Sequence, residues 1–158
     1  MTTSLKRAGT VLLSVLLLCT LALSAGAASK LRVGVKFWKN GSDKESMANS
    51  GIDTSREASL TRQSNGTYTL TLPIQQVSKM GVTGYLSGLT IGDVTYDGTL
   101  TGDFNKATAV LTIKNLPASV LTGSDSSKAL AVTCSIKMDT ILLGDISTSA
   151  KMSIWVER

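Results

Sequence analysis

From residue 31 onward, apolar and polar residues alternate with a period of two, the spacing of half-buried strands. LRVGVKFW (31–38) places Leu31, Val33, Val35 and Phe37 on one face. EASLTRQ (57–63) is a weaker strand. TYTLTLPI (67–74) turns Tyr68, Leu70 and Leu72 inward and its threonines outward. Asn65-Gly66 between these two is a hairpin signal, because both residue types tolerate positive φ. Pro73 lacks a backbone donor and belongs at a strand end or on an edge. GYLSGLTIG (84–92) and DVTYDGTLTG (93–102) are threonine-rich and bounded by turns. ATAVLTIKNL (107–116) aligns Ala109, Leu111 and Ile113. ALAVTCSIKM (129–138) and SAKMSIWVE (149–157) are the last two strands, joined by DTILLGDIST. Short strands with spaced turns and no helical period predict an antiparallel all-β sandwich or barrel, of which two packed sheets best suit the one-faced alternation.

Two segments break the pattern. The first is residues 1–27: Lys6 and Arg7, then the apolar TVLLSVLLLCTLALS, then AGA before Ala28. That order is a secretory signal peptide with cleavage expected after Ala27. The apolar run is short against the about 20 residues of a membrane span, so cleavage is expected over retention as an anchor. Leu17 and Leu18 are too bulky to make Cys19 a lipid-attachment site. Residues 28–158 then form a single domain, with no further apolar segment and an expected soluble character. The second break is GSDKESMANSG (41–51), which has charges, serines, one methionine and no β-branched residue.

Composition narrows the chemistry. The net charge of +5 falls mildly once Lys6 and Arg7 leave, and the remaining basic residues are scattered without a run or an aromatic platform, so nucleic acid is not an expected partner. The sequence holds no histidine, which removes the commonest general base and metal ligand. Cys134 is the only cysteine after residue 27, so neither an internal disulfide nor a cysteine-paired zinc site is expected; its place in an apolar alternation reads as a small buried hydrophobe. The acids sit in turns, where aspartate ordinarily bonds its own backbone. A secreted, non-enzymatic binding module is the expectation, with loops presented from a rigid β-frame.

The strand VKFWKNG, the segment SDKESMANSGI and the hairpin EASLTRQSNGTYTLTL together resemble the opening of a NEAT (near-iron transporter) domain. VTGYLSGLTIGDVTY and the pair CSIKM and SAKMSIWVE are similar to later parts of divergent members. The resemblance spans roughly residues 31–157. It implies an immunoglobulin-like β-sandwich, secreted or cell-surface attached, with a short helical lip over 41–51. It also implies haem held between that lip and the final β-hairpin for iron acquisition, or binding of a haemoprotein or another surface protein. Carried onto this chain, Ser46 matches the lip serine that approaches a haem propionate, and Met47 the apolar residue that covers the ring.

The chain departs from the family at the iron ligand. Haem-binding members carry Tyr-x-x-x-Tyr near the start of the last strand, whereas this region reads GDISTSAKMSIW. With Trp155 on the family's late aromatic, Asp145 and Ser149 occupy the tyrosine positions, and Gly51 occupies that of the lip tyrosine. Haem iron also accepts thioethers, which leaves Met47, Met138 and Met152 as candidates. Each has a structural alternative. Met152 is in phase with Ile154 and Val156, and Met138 with Val132, Cys134 and Ile136, as core residues would be. Met47 could plug one end of the sandwich and Ser46 could cap a helix. Trp38 and Trp155 fall opposite the apolar faces of their strands. If exposed, they suggest a second kind of protein: a structural or adhesive sandwich that binds protein or glycan through aromatics and loops; the alternative is that they cover their strands at the sheet edge.

Overall fold

In the computed structural model, which describes residues 28–140 and 143–158, the alternation becomes nine antiparallel strands. They are β1 (Lys30–Lys39), β2 (Ala58–Arg62), β3 (Tyr68–Pro73), β4 (Val77–Lys79), β5 (Val82–Ile91), β6 (Val94–Thr101), β7 (Val110–Leu116), β8 (Leu130–Met138) and β9 (Ile146–Val156). The signal peptide expected over 1–27 lies outside the described residues.

The sandwich expectation needs one correction. The chain is all-β and antiparallel, but its strands do not separate into two sheets. They run β5-β6-β7-β3-β2-β1-β9-β8, and β8 pairs back onto β5, so eight strands close into a ring. Closure removes the free edges that an open sheet must protect. The short β4 stands outside the ring. It pairs with the first residues of β5, on the edge that β6 takes further along.

The alternation read from the sequence points into this ring. Phe37, Leu60, Leu70, Leu72, Leu89, Leu111, Ile113 and Ile154 are all buried, as are Val33 and Ala109. Each large side chain contributes about 1.5–3 kcal/mol by leaving water. Cys134 is part of this core, and burial pushes its thiol up to about 12. Pro73 is the last residue of β3, where its missing donor is tolerated. Two boundaries differ from expectation. The three-residue β4 is too short to show a period. β9 begins at Ile146 instead of 149; its first residues, Ile146-Ser147-Thr148-Ser149, are mostly polar and carry no apolar alternation to read.

Candidate functional site

The segment 41–51 folds in two parts. Lys39 N–H donates to Lys44 O at 2.8 Å and Ser42 N–H to Lys39 O, so the charged residues make a tight turn at the end of β1. Then Met47–Gly51 form a short 3₁₀ helix, the lip that the resemblance implied. Ser46 caps it in extended conformation, its hydroxyl accepting from Ala48 N–H at 3.3 Å. The lip is fixed from inside by Asn49. Its Oδ1 accepts from Phe37 N–H at 2.7 Å and its Nδ2 donates to Phe37 O at 2.7 Å, while Ser46 N–H donates to the same carbonyl at 2.9 Å. Gln75 ties the far end, its backbone N–H reaching Gly51 O and its side chain Ser50 O.

Across from the lip, β5, β8 and β9 continue past the closed core. Gly84 pairs with Met138 and Leu86 with Ile136, and Ile136 pairs with Ile146. Their inward face is the same face that buries Val132 and Cys134 deeper in the ring. Gly84 is needed there: a Cβ at this position would lie 2.8 Å from Met138 Sδ and 2.9 Å from Lys137 O. The result is an apolar groove of about 430 Å³, the open end of the core. Its sides are Met47, Ala48 and Gly51 of the lip, Val77, Lys79 and Met80 of β4 and its turn, and the inward residues of β5, β8 and β9. That volume lies within the usual range for small-molecule and cofactor sites.

The structure brings two of the four sequence candidates to this groove. Met47, on the lip, and Met138, at the end of β8, both line it. Ser46 stands next to Met47 as the helix cap. Met152 does not reach the groove. It is fully buried between Phe37 and Leu130, its cross-strand partners, and belongs to the core. The strand phase also shifts the positions given to the family's tyrosines. Ile146 and Thr148 face the groove, and their alternation continues into buried Ala150, so Asp145 and Ser149 stand off that face, both exposed. Gly51, matched to the lip tyrosine, is buried at the groove wall.

Sequence reasoning missed Asn49, Lys79 and Met80. Asn49 lies within SMANS, but only the fold shows that its amide brackets a strand peptide. Met80 and Gly81 are the two central residues of the β4–β5 hairpin, both with positive φ (53° and 79°), as a type I′ turn requires. Asn, Asp or Gly is favoured at the first of these positions. A methionine there, 94 % exposed, is an apolar side chain held in an unfavourable backbone region at the groove's rim.

The groove is also electrostatically distinct. Among the described residues no carboxylate lines it, and Lys79 is its one cation. The Lys79 ammonium donates to Met47 Sδ at 3.5 Å, and among the described residues it makes no ion pair. Ion pairs among the described residues lie elsewhere: Arg32 with Glu57 and Glu157, Lys36 with Glu45, and Arg56 with Asp53. Hydrogen bonds from Ser55, then from Arg56, hold the Asp53 carboxyl below the usual carboxylate range. Another cavity of about 360 Å³ lies among these charges, walled by Arg32, Arg56, Glu57 and Glu157 together with Val33, Ile52 and Leu72, so it is mixed in character where the groove is apolar. Among the described residues, no three His, Cys, Asp or Glu gather as a metal site.

The tryptophans are less available than their strand phase suggested. Both are half-buried on the outer face of β1 and β9. Trp38 Nε1 donates to Ser153 Oγ at 2.9 Å, and Lys36 Nζ sits 4.6 Å from its ring centroid. Trp155 lies flat on Gly34, whose missing Cβ makes room for it; a Cβ would fall 2.2 Å from the indole. Half-buried, they serve in part as cover for the strand pair, so only part of each ring is left for a contact surface.

No family model matches the chain, and no curated protein matches it by sequence. Solved structures do. The NEAT5 domain of IsdX2, a B. anthracis hemophore in complex with heme, superposes with a TM-score of 0.54 at 11 % identity, over 84 % of this chain and 99 % of that one. A mutant of the same IsdX2 domain, also in complex with heme, gives 0.53 at 11 % identity, over 84 % and 98 %. At that identity the likeness is one of architecture, and the chain has the fold of a NEAT domain.

Proposed function

We propose that the protein is a non-enzymatic haem-binding module, secreted or held at the cell surface, that serves iron acquisition by taking up haem directly or from a haemoprotein. One observation carries this reading: an apolar groove opens between the Met47 lip and the β8–β9 hairpin, on a fold shared with domains solved in complex with heme. The residues fit the group. Leu86, Ile136, Ile146 and Val82 offer an apolar wall for a flat macrocycle. Lys79 stands at the rim as an ammonium for a propionate. Met47, Met80 and Met138 supply thioethers, which haem iron accepts. Ser46, the cap of the lip next to Met47, is the residue we assign to a second propionate. The closed β-ring holds the β5, β8 and β9 walls, and Asn49 and Gln75 tie the lip to it.

Titration of haemin into the purified protein tests the reading. A sharp, saturable shift of the Soret band is expected. Met138→Lys, which puts a positive charge on the groove floor against the ferric core, should weaken binding at least tenfold while far-ultraviolet circular dichroism stays unchanged. Absence of any saturable shift, or full affinity in the folded lysine variant, would remove the groove as the haem site.

A further inference from the structure

We infer that the groove selects its ligand by iron oxidation state, taking ferrous porphyrin in preference to ferric; the inference rests on the haem reading above. The first ground is the donor set. Three of the chain's five methionines, Met47, Met80 and Met138, line this one groove. No histidine exists in the chain, and Cys134 is buried in the core with its thiol protonated. Tyr85 touches the groove through β5, but it alternates with the groove-facing Gly84 and Leu86. Its ring packs on Phe104 instead, 5.0 Å between centroids. Thr148 is a neutral hydroxyl, and Lys79 is an ammonium with no lone pair to give. The available iron ligands are therefore neutral, soft thioethers, which favour the reduced metal and raise its potential.

The second ground is charge. A ferric porphyrin core carries one positive charge at the metal, whereas the ferrous core is neutral. Burying that charge in an apolar groove is costly without an anion beside it. Among the described residues no carboxylate lines the groove, and the charged group on its wall is the Lys79 ammonium, itself 3.5 Å from Met47 Sδ. Both effects act in the same direction. Met80 adds a third feature: it is 94 % exposed at a turn position that favours Asn or Gly, so a bound ring would give its side chain something to cover.

Anaerobic titrations of the purified protein with haemin, with dithionite-reduced haem and with metal-free protoporphyrin IX test this. Ferrous haem should bind at least tenfold more tightly than ferric, which places the midpoint potential of the bound haem about 59 mV or more above that of the free one. The triple variant Met47→Leu, Met80→Leu, Met138→Leu keeps the apolar volume. It should still bind metal-free porphyrin saturably, and its ferrous-to-ferric affinity ratio should fall at least threefold, to what the charge of the groove alone sustains. Equal or tighter ferric binding by the wild type overturns the inference, and so does a ferrous preference undiminished in the triple variant. Binding of metal-free porphyrin without an oxidation-state preference removes this inference alone. Failure of all three titrants removes it together with the haem reading.

Discussion

The described methionines show how far one side chain's role depends on where the chain puts it. Met47 and Met80 are exposed on the groove's rim, Met138 is half-buried on its floor, and Met152 is sealed between Phe37 and Leu130. Sequence phase placed Met138 and Met152 in the same class, since both alternate with apolar neighbours. They differ because β8 runs beyond the closed part of the ring, so its last inward residue meets an opening, whereas Met152 lies halfway along β9. Met152 is therefore a packing residue. Met152→Ala should cost about 2–5 kcal/mol and Met152→Leu less than about 1.5 kcal/mol in urea unfolding. Neither should change ligand affinity in a folded sample, and a weakened ligand in the leucine variant would contradict this assignment.

At the scale of elements, the lip is the piece that decides the site. A five-residue 3₁₀ helix has little stability of its own, and what holds it is the Asn49 amide, which satisfies both polar groups of the Phe37 peptide. Asn49→Ala leaves Phe37 N–H without its side-chain acceptor, a loss of about 1–3 kcal/mol. Denaturant unfolding should register that loss. Amide exchange should show faster opening at Phe37 and across 46–51, with β6 and β7 unchanged. If the lip amides exchange at wild-type rates, Asn49 is not its anchor. The opposite wall is tied in a similar way: Gln76 donates to Asp139 Oδ2 at 2.8 Å and Asp139 N–H to Thr83 O at 2.9 Å, joining β4 and β5 to the end of β8.

For the whole molecule, the β5–β8 pairing is the decisive contact. It closes the ring, buries Leu89 against Cys134, and leaves β4 as the one strand with an unpaired side among those described. Opening of the ring requires unzipping a long ladder, while β4 is held by three residue pairs. Hydrogen exchange should thus separate them. Amides of β5, β8 and β9 should exchange only through global unfolding, and those of Val77–Lys79 should exchange through cheap local opening. Saturation with ligand should slow the β4 amides, because Val77, Lys79 and Met80 line the groove. Exchange of β4 at the global rate in the free protein would show that it is no separate flap.

The sequence by itself determined most of the strands and the inward faces of those that alternate. A strand shows only two sides, so one apolar side must be buried, and Leu70, Leu72, Leu111 and Ile113 could be assigned from period alone. It also determined the chemistry that is missing, since no fold can supply histidine. The break at 41–51 was legible because its composition cannot alternate, and Ser46 and Met47 were readable within it. Three things were left to the tertiary structure. Ring closure depends on β5 meeting β8 across about fifty residues of chain, and no local signal encodes that meeting. The position of Asp145 and Ser149 relative to the groove depends on strand phase, where a shift of one residue exchanges inside for outside. The gathering of Met47, Lys79, Met80 and Met138 at one opening depends on three separate hairpins ending at the same height. Short-range physics fixes which way a side chain points, and long-range pairing fixes what it points at.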